Sequence, residues 1–411
     1  RPGAGLAALA LALALAGGEY GLCAAAYIGA FELVGLARAR RSWRGWLPMI
    51  AVLVVWAVIH RAYGFGSQGS TVYVDPIREP IAWLSAALVR VPILVADMLL
   101  AIPTGKLAFY PDLMRIQAWL GPLALAIVGA LVPGVLRRLP GDERRRLAFA
   151  CLAAMLSLLP VASSFVSARL LLIPGVAGHV VVAALVLDGI AALRDPVRRR
   201  AWIGRLRGLA GVALAAVHIG LATYWGLEET ISIGELNRGT RTASLTMQID
   251  DSKVADQRLV VLTAADPMTL LYPPIVRWVE GSPMPRSWWV LSMAPRPHRL
   301  RRIAADAFEL EVVGGAMLKG PVEQLFRRPD QPLTVGQAIE LDGLRIEILA
   351  LADGVHPTRV RYTFDRTLDD PSLVFLLATR RGMLRYPMGP VGATVTIPPA
   401  ALPLTIPSAH P

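Results

Sequence analysis

The chain has 411 residues, of which 55% are hydrophobic, and its formal net charge is +12. The mean hydropathy of +0.50 is high for a soluble protein of this length, and the apolar residues are concentrated between positions 4 and 226. Much of the positive charge flanks those apolar runs, where cations face lipid headgroups, so the charge does not indicate a protein that binds nucleic acid.

Three arginine clusters alternate with loops that are poorer in cations. The clusters are Arg38, Arg40, Arg41 and Arg44; Arg137, Arg138, Arg144, Arg145 and Arg146; and Arg194, Arg198, Arg199, Arg200, Arg205 and Arg207. Positively charged loops stay on the cytoplasmic side during insertion. The pattern therefore predicts a multi-pass protein of the inner membrane of a bacterium, with the clusters inside and the C-terminal half in the periplasm.

The apolar runs predict about six membrane spans within residues 1–227. The runs cover residues 6–16, 20–37, 47–63, 117–136, 147–160, 169–193 and 209–225. The first of them would serve as the end of a signal peptide or as the end of a span. Because apolar sequence resumes directly after Glu19, we expect the second alternative, with further spans upstream of Arg1.

Residues 81–102 form an apolar segment that is long enough to span but contains Arg90, Pro92 and Asp97. If this segment crossed the membrane, the second arginine cluster would lie on the outer side. We therefore predict an interfacial or re-entrant helix pair on the outer face.

The remaining sequence predicts a stalk at 228–257, a periplasmic α+β domain at 258–398 with a mostly antiparallel sheet, and a disordered tail at 399–411. The clearest element is a hairpin at 338–351, in which Asp342 and Gly343 separate two apolar alternating runs. Further strands are predicted at 258–263, 288–293, 308–313, 359–364, 373–378 and 391–397, and a helix at 266–280.

Candidate site residues lie at the predicted outer ends of the spans. Glu19 lies between two apolar runs. An ionisable group at membrane depth is energetically expensive, which indicates a functional role; the alternative is that Glu19 lies in water at the outer interface. The outer loop that contains Tyr73, Asp75, Arg78 and Glu79 has the groups to bind a sugar, a metal or a phosphate, or to form a salt-bridged turn before a helix.

Two arginines are candidates for holding an anionic headgroup. Arg90 and Asp97 lie two helical turns apart and so share a face, where they would pair with each other or line an aqueous cavity. Arg169 is a cation at the outer start of a span, against the usual charge bias. Arginine forms a bidentate fork with phosphate, which makes a lipid-linked phosphate a fitting ligand.

Three short segments resemble the C-terminal membrane half of multi-span GT-C-type glycosyltransferases similar to protein O-mannosyltransferases. These segments are Gly18-Glu19-Tyr20-Gly21, Tyr73-Val74-Asp75-Pro76 and Arg169-Leu170-Leu171-Leu172-Ile173-Pro174. The resemblance implies transfer of a sugar from a polyprenyl-phosphate donor on the outer face. It assigns phosphate binding to Arg169 and the family's later acidic position to Glu19. The family's catalytic carboxylate lies in a first outer loop that this chain lacks, so no catalytic residue is assigned.

Two other classes of protein compete with a glycosyltransferase. A non-catalytic membrane anchor would present the periplasmic domain to partners of the cell envelope. A transporter would need polar residues deep in several spans, and the sequence offers mainly Glu32 and Asp188. The sequence contains no metal-ligand cluster, P-loop, dinucleotide fingerprint or Ser-His-Asp motif, so it predicts no metal and no cofactor.

Overall fold

The computed structural model describes residues 2–35, 46–66, 70, 72–104, 111–264, 267–320, 323, 327 and 331–400. The first arginine cluster, at 38–44, and residues 401–411 of the predicted tail lie outside these ranges. The chain divides after Glu228 into an N-terminal and a C-terminal unit.

The N-terminal unit is helical, as the sequence predicts. Its helices are α1 (Pro2–Ala16), α2 (Leu22–Val34), α3 (Leu47–Ala62), α4 (Pro80–Leu100), α5 (Pro111–Leu136), α6 (Gly141–Val161), α7 (Leu172–Arg194), α8 (Pro196–Arg200) and α9 (Trp202–Ala215). A π-helical turn, Ala216–Leu221, joins α9 to α10 (Ala222–Leu245), which continues past the unit boundary. Within the described residues, four helical stretches are long and apolar enough to cross a membrane: Pro80–Leu100, Asp112–Leu136, Ala168–Arg194 and Trp202–Leu245. Gly3–Ala16 and Leu47–Ala62 are shorter apolar helices.

One end of the N-terminal unit consists of residues 17–21, 63–66, 72–79 and 162–171, and we call it the loop end. Hydrogen bonds join residues 162–171 to both 17–21 and 72–79. The Val74 amide donates to the Ser163 carbonyl (2.9 Å), and the Trp83 indole donates to the Ser163 hydroxyl (3.1 Å). The segments predicted as outer loops therefore lie together.

The opposite end, which we call the arginine end, brings the second and third arginine clusters together. Arg138 follows α5 and Arg198 lies on α8, and both donate to the Asp188 carboxylate near the end of α7. Because α7 begins at the loop end and finishes at the arginine end, the two ends are separated by the length of a helix that is apolar enough to span a bilayer.

Helix α4 corrects the prediction of a helix pair at 81–102, since Pro80–Leu100 is one continuous helix with Pro92 inside it. The residues after Pro92 are almost entirely buried, and the helix ends at Ala101, whose φ is 51°. Near that end, the Met98 side chain packs against Gly178 and the Leu99 carbonyl lies 3.0 Å from the His218 ring. Gly178 lies only about 9 Å along the axis of α7 from the first residue of α7. Helix α4 therefore ends well short of Asp188, which lies near the last residue of α7.

Two tyrosine hydroxyls form hydrogen bonds with the backbone at the start of α7. Tyr27 of α2 donates to the Ile173 carbonyl (2.6 Å) and accepts from the Ala177 amide (3.0 Å), so its hydroxyl is inserted between two groups that would otherwise bond to each other. Tyr20 bridges the Leu170 carbonyl and the Ile173 amide in the same manner. These bonds fix the beginning of α7 against the turn that contains Glu19.

Glycines allow α7 and α9 to pack closely. A Cβ built at Gly189 would lie 2.7 Å from the Arg207 carbonyl oxygen and 2.8 Å from the Gly211 Cα. Both neighbours are backbone atoms, so they cannot move aside as a side chain would. Small residues at such crossings let helix backbones approach within a membrane.

The C-terminal unit contains α11 (Pro267–Val279) and two sheets. The strands are β1 (Arg258–Val261), β2 (Ser287–Val290), β3 (His298–Arg302), β4 (Ala307–Val312), β5 (Ala338–Leu341), β6 (Leu344–Ala352), β7 (His356–Phe364), β8 (Leu373–Thr379), β9 (Gly382–Arg385) and β10 (Thr394–Ile397). The six-stranded sheet, in the order β10-β3-β4-β7-β6-β5, is antiparallel throughout, which confirms the predicted antiparallel sheet. The four-stranded sheet, β2-β1-β8-β9, is mixed, because β1 runs parallel to both β2 and β8.

The two sheets pack face to face. Val260 and Leu262, from β1 and the residue after it, pack with Phe308, Leu310 and neighbouring residues of the six-stranded sheet. The alternate residues, including Leu259, point to a second core that contains Met247 and Val254. Residues 247–254 therefore belong to the globular unit, which corrects the prediction that a stalk extends to residue 257.

Candidate functional site

The loop end holds a carboxylate–imidazole pair. The Glu19 carboxylate, in the turn between α1 and α2, lies 2.6 Å from Nε2 of His60 in the last turn of α3. The Trp56 ring packs on the His60 ring, with centroids 4.7 Å apart. The Glu19 side chain is 59% exposed and that of His60 is 20% exposed, so a molecule at this end of the unit can reach the pair.

Asp75 lies close to this pair and organises the start of α4. Its carboxylate accepts from the Ile77 amide (2.7 Å) and the Arg78 amide (3.2 Å), and its other oxygen lies 3.7 Å from Arg78 Nε. A Cβ built at Gly66, where φ is +104°, would lie 3.1 Å from a His60 ring carbon and 3.9 Å from that second Asp75 oxygen. His60 and Asp75 thus flank the same glycine.

Glu79 closes this turn and precedes the first residue of α4. Its amide donates to the Asp75 carbonyl (2.9 Å), and its own carbonyl accepts from the Trp83 amide (2.8 Å). An acidic side chain at this position is favourable beside the positive end of the helix dipole. Asp75, Arg78 and Glu79 therefore form a salt-bridged turn ahead of a helix.

Arg169 lies on the 3₁₀ turn Ala168–Leu171 at the start of α7, and its side chain is exposed. Its guanidinium carbon is 5.1 Å from the centroid of the Phe165 ring, and Phe165 in turn meets Tyr73 edge to face at 6.1 Å. Among the described residues, no carboxylate forms an ion pair with Arg169. The aromatic contacts orient a cation that retains its capacity for an anionic ligand.

The loop-end residues are close because their backbone neighbours are bonded. Tyr20, which follows Glu19, donates to the carbonyl of Leu170, which follows Arg169 (2.8 Å). Val74, which precedes Asp75, donates to the Ser163 carbonyl two residues before Phe165. The sequence indicates Glu19, Asp75 and Arg169 separately, and the structure places all three at the loop end.

Arg90 has a different role from the one that its sequence suggests. Its two terminal nitrogens donate to the carbonyls of Val72 (2.6 Å) and Ala162 (2.9 Å), so the guanidinium ties α4 to both loops. It does not pair with Asp97, whose carboxylate accepts from the Thr104 amide (3.1 Å). The shared helical face was predicted correctly, but each side chain finds backbone partners of its own.

The candidate residues chosen from the sequence did not include His60 and Phe165, which both lie at the loop end. An ionisable ring near the end of an apolar run, as at His60, is itself a signal. Phe165 carried no signal, because its importance depends on contacts with Tyr73 and Arg169 that only the fold creates.

The C-terminal unit contains an apolar cavity of about 350 Å³ against the six-stranded sheet. Its lining includes Trp289, Met317 and Leu344, with Ser292 at one side. The Ser292 hydroxyl lies 2.8 Å from Nε2 of the buried His298, and burial lowers the pKa of His298 to about 4. This volume falls within the range of small-molecule sites.

The described residues include no group of three or more His, Cys, Asp or Glu side chains that could hold a metal ion. No protein-family model matches the chain, and neither the curated proteins nor the solved structures include a significant match. The comparisons therefore identify no family.

Proposed function

We propose that this chain is an integral protein of a bacterial inner membrane that transfers a sugar from a polyprenyl-phosphate donor, with the loop end and the C-terminal unit on the periplasmic side. One observation carries the proposal: the loop end combines a carboxylate–imidazole pair, Glu19 and His60, with the exposed cation Arg169. Sugar transfer from a lipid phosphate needs a proton acceptor and a positive charge, and it needs them at the level of the headgroups.

The proposed reaction assigns a task to each group. An acceptor hydroxyl attacks the anomeric carbon of the sugar, and the bond between that carbon and the phosphate oxygen breaks. The hydroxyl proton passes to the pair of Glu19 and His60, which lie 2.6 Å apart. The departing polyprenyl phosphate gains one negative charge, which Arg169 stabilises through a bidentate contact. Arg90 holds the two loops and is not assigned to the phosphate, because carbonyl oxygens occupy both of its terminal nitrogens.

The apolar cavity favours a second candidate function. In this alternative the N-terminal unit is only an anchor, and the C-terminal unit binds an apolar ligand or an envelope partner without catalysis. The cavity, lined by Trp289, Met317, Leu344 and other apolar residues, supports this reading independently of the loop end. The two candidates differ in the part of the chain that a donor lipid contacts.

A photoreactive polyprenyl-phosphate sugar distinguishes them. We expect the wild-type protein in native membranes to crosslink at the loop end, and Arg169→Gln to reduce labelling about tenfold or more, because a hydrogen bond to a charged group contributes about 1.5–3 kcal/mol. Arg169→Lys should restore part of the labelling, since lysine keeps the charge but not the fork.

Arg61→Gln is the matched control, because Arg61 is an exposed arginine in the last turn of α3 and is adjacent to His60. It removes the same charge at the same end and should leave labelling unchanged. Equal losses in the two variants, or labelling confined to the C-terminal unit, would contradict the transferase and favour the anchor.

A further inference from the structure

At the arginine end, three arginines from three different segments surround one carboxylate. Arg138 Nη1 and Arg198 Nη2 lie 2.7 and 2.8 Å from the same oxygen of Asp188, and Arg207 Nη1 lies 3.7 Å from the other oxygen. Asp188 is 10% exposed, as is Arg207, whereas Arg198 and Arg138 are 25% and 45% exposed. The cluster therefore extends from the interior of the helical unit to its surface.

The charges in this cluster do not balance. Three guanidinium groups face one carboxylate, which leaves a net charge of about +2 in a partly buried site where water screens poorly. Nε and Nη1 of Arg207 are buried and have no hydrogen-bond partner among the described residues. A buried donor without an acceptor costs about 1–3 kcal/mol. The site has donors and positive charge in excess, and it lacks acceptor oxygens.

The surrounding backbone makes room for this arrangement. A Cβ built at Gly134 of α5 would lie 1.5 Å from Nη2 of Arg207, so the guanidinium occupies the space beside a glycine. Asp188 belongs to α7, Arg198 to α8 and Arg207 to α9, and their mutual contacts fix the three arginines before any ligand arrives. The cluster is thus preorganised, with Asp188 positioning the guanidinium groups.

We propose that this cluster of Arg138, Arg198 and Arg207 binds a phosphate-bearing anion. Arginine forks match the oxygens of phosphate in geometry and charge. Basic pockets between helices at the cytoplasmic face are suited to anionic lipid headgroups. Leu206 and Leu209, which flank Arg207 on α9, are exposed apolar side chains that provide a surface for acyl chains. A lipid headgroup and a free phosphate ion share the chemistry that the cluster recognises.

Native mass spectrometry of the full chain with added phosphatidylglycerol tests the proposal. We expect phosphatidylglycerol to remain bound where phosphatidylcholine does not, and Arg198→Gln to weaken its retention about tenfold. Arg200→Gln is the matched control, because Arg200 is an exposed arginine on the same short helix and forms no ion pair with Asp188. It should retain the lipid within about twofold of wild type.

A second variant and a competition arm complete the experiment. Arg138→Gln removes a half-exposed arginine and leaves Arg198 and Arg207 on Asp188, so it should also weaken retention while the protein stays folded. Displacement of the lipid by excess inorganic phosphate would identify free phosphate as the ligand, and persistence would identify the headgroup with its chains. Equal retention of the lipid by Arg198→Gln, Arg200→Gln and the wild type would overturn the proposal. Equal losses of lipid in Arg198→Gln and the control Arg200→Gln would overturn it as well.

Discussion

Buried arginines in the C-terminal unit depend on aspartates that reach in from the surface. Arg258 is 2% exposed, and its guanidinium donates to Asp365 (2.8 Å). The hydrogen bond from Arg366, together with the one from Arg258, lowers the pKa of Asp365 to about 2. The buried Arg302 forms a bidentate ion pair with Asp369. These ion pairs allow strands that carry buried arginines to pack in the fold, since an unpaired buried charge would be strongly destabilising.

The buried His298 makes the stability of the C-terminal unit depend on pH. Burial lowers its pKa from 6.5 to about 4, so the folded unit takes up a proton less readily than the unfolded chain does. The stability of the C-terminal unit is therefore complete above pH 6.5 and falls as the pH decreases from there towards 4. At 1.36 kcal/mol for each pKa unit, the loss should approach about 3 kcal/mol at the lower limit.

This dependence is measured by unfolding the C-terminal unit in urea, within the full chain, and by using pulse proteolysis to determine the urea midpoint at each pH. His298→Gln should remove most of the loss in midpoint between about pH 7 and pH 4.5, because the titrating ring is gone. Thr394→Gln, at an exposed position of the neighbouring strand β10 that carries no titratable group, is the control and should keep the wild-type slope. A wild-type slope in His298→Gln would show that other groups are responsible.

At the scale of elements, regular patterns were predictable and charged ones were not. The hairpin of β5 and β6 follows from its Asp-Gly turn and alternating apolar residues. Strand β3 was missed, because four of its five residues are His or Arg. Its alternation of buried and exposed positions places Arg302 inside, where the Asp369 carboxylate balances its charge and backbone carbonyls, including that of Gly389, accept from its guanidinium. The sequence of one strand cannot indicate a partner that lies more than sixty residues away.

Helix α4 shows a related limit. The sequence predicts a helix pair over a segment that contains Arg90, Pro92 and Asp97, yet one helix continues through all three. Arg90 bonds two carbonyls outside the helix, and Asp97 accepts from the Thr104 amide beyond its end. These partners satisfy the polar groups without interrupting the helix, as polar groups in an apolar setting require.

The crossing of α7 and α9 gives an element-scale prediction. Gly189→Ala should separate the two helices, because the new methyl would meet the backbone of Arg207 and Gly211 at under 3 Å. We expect a loss of about 1–3 kcal/mol, typical of overpacking, measured as a lower thermal aggregation midpoint in detergent. Gly129→Ala in α5, where a Cβ would meet nothing within 4 Å, should leave the midpoint unchanged or raise it. Equal effects would contradict the close packing.

The whole molecule divides after Glu228, and the strongly apolar sequence lies before that division, between positions 4 and 226. The candidate site could be predicted only as separate residues. Glu19 and Arg169 are brought together by the bond between Tyr20 and Leu170, which are 150 residues apart. Composition and charge identify residues that are unusual for their position, whereas their grouping depends on long-range contacts that have no local signature.

We propose that the loop end and the arginine end face opposite sides of a membrane. Single cysteines at Ser164, at the loop end, and at Asp142, at the start of α6, test it in a chain with Cys23 and Cys151 replaced by alanine. A membrane-impermeant maleimide applied to intact spheroplasts should label Ser164→Cys at once and Asp142→Cys only after permeabilisation. Labelling of both cysteines in intact spheroplasts, or of Asp142→Cys alone, would contradict the proposed orientation and the function assigned to the loop end.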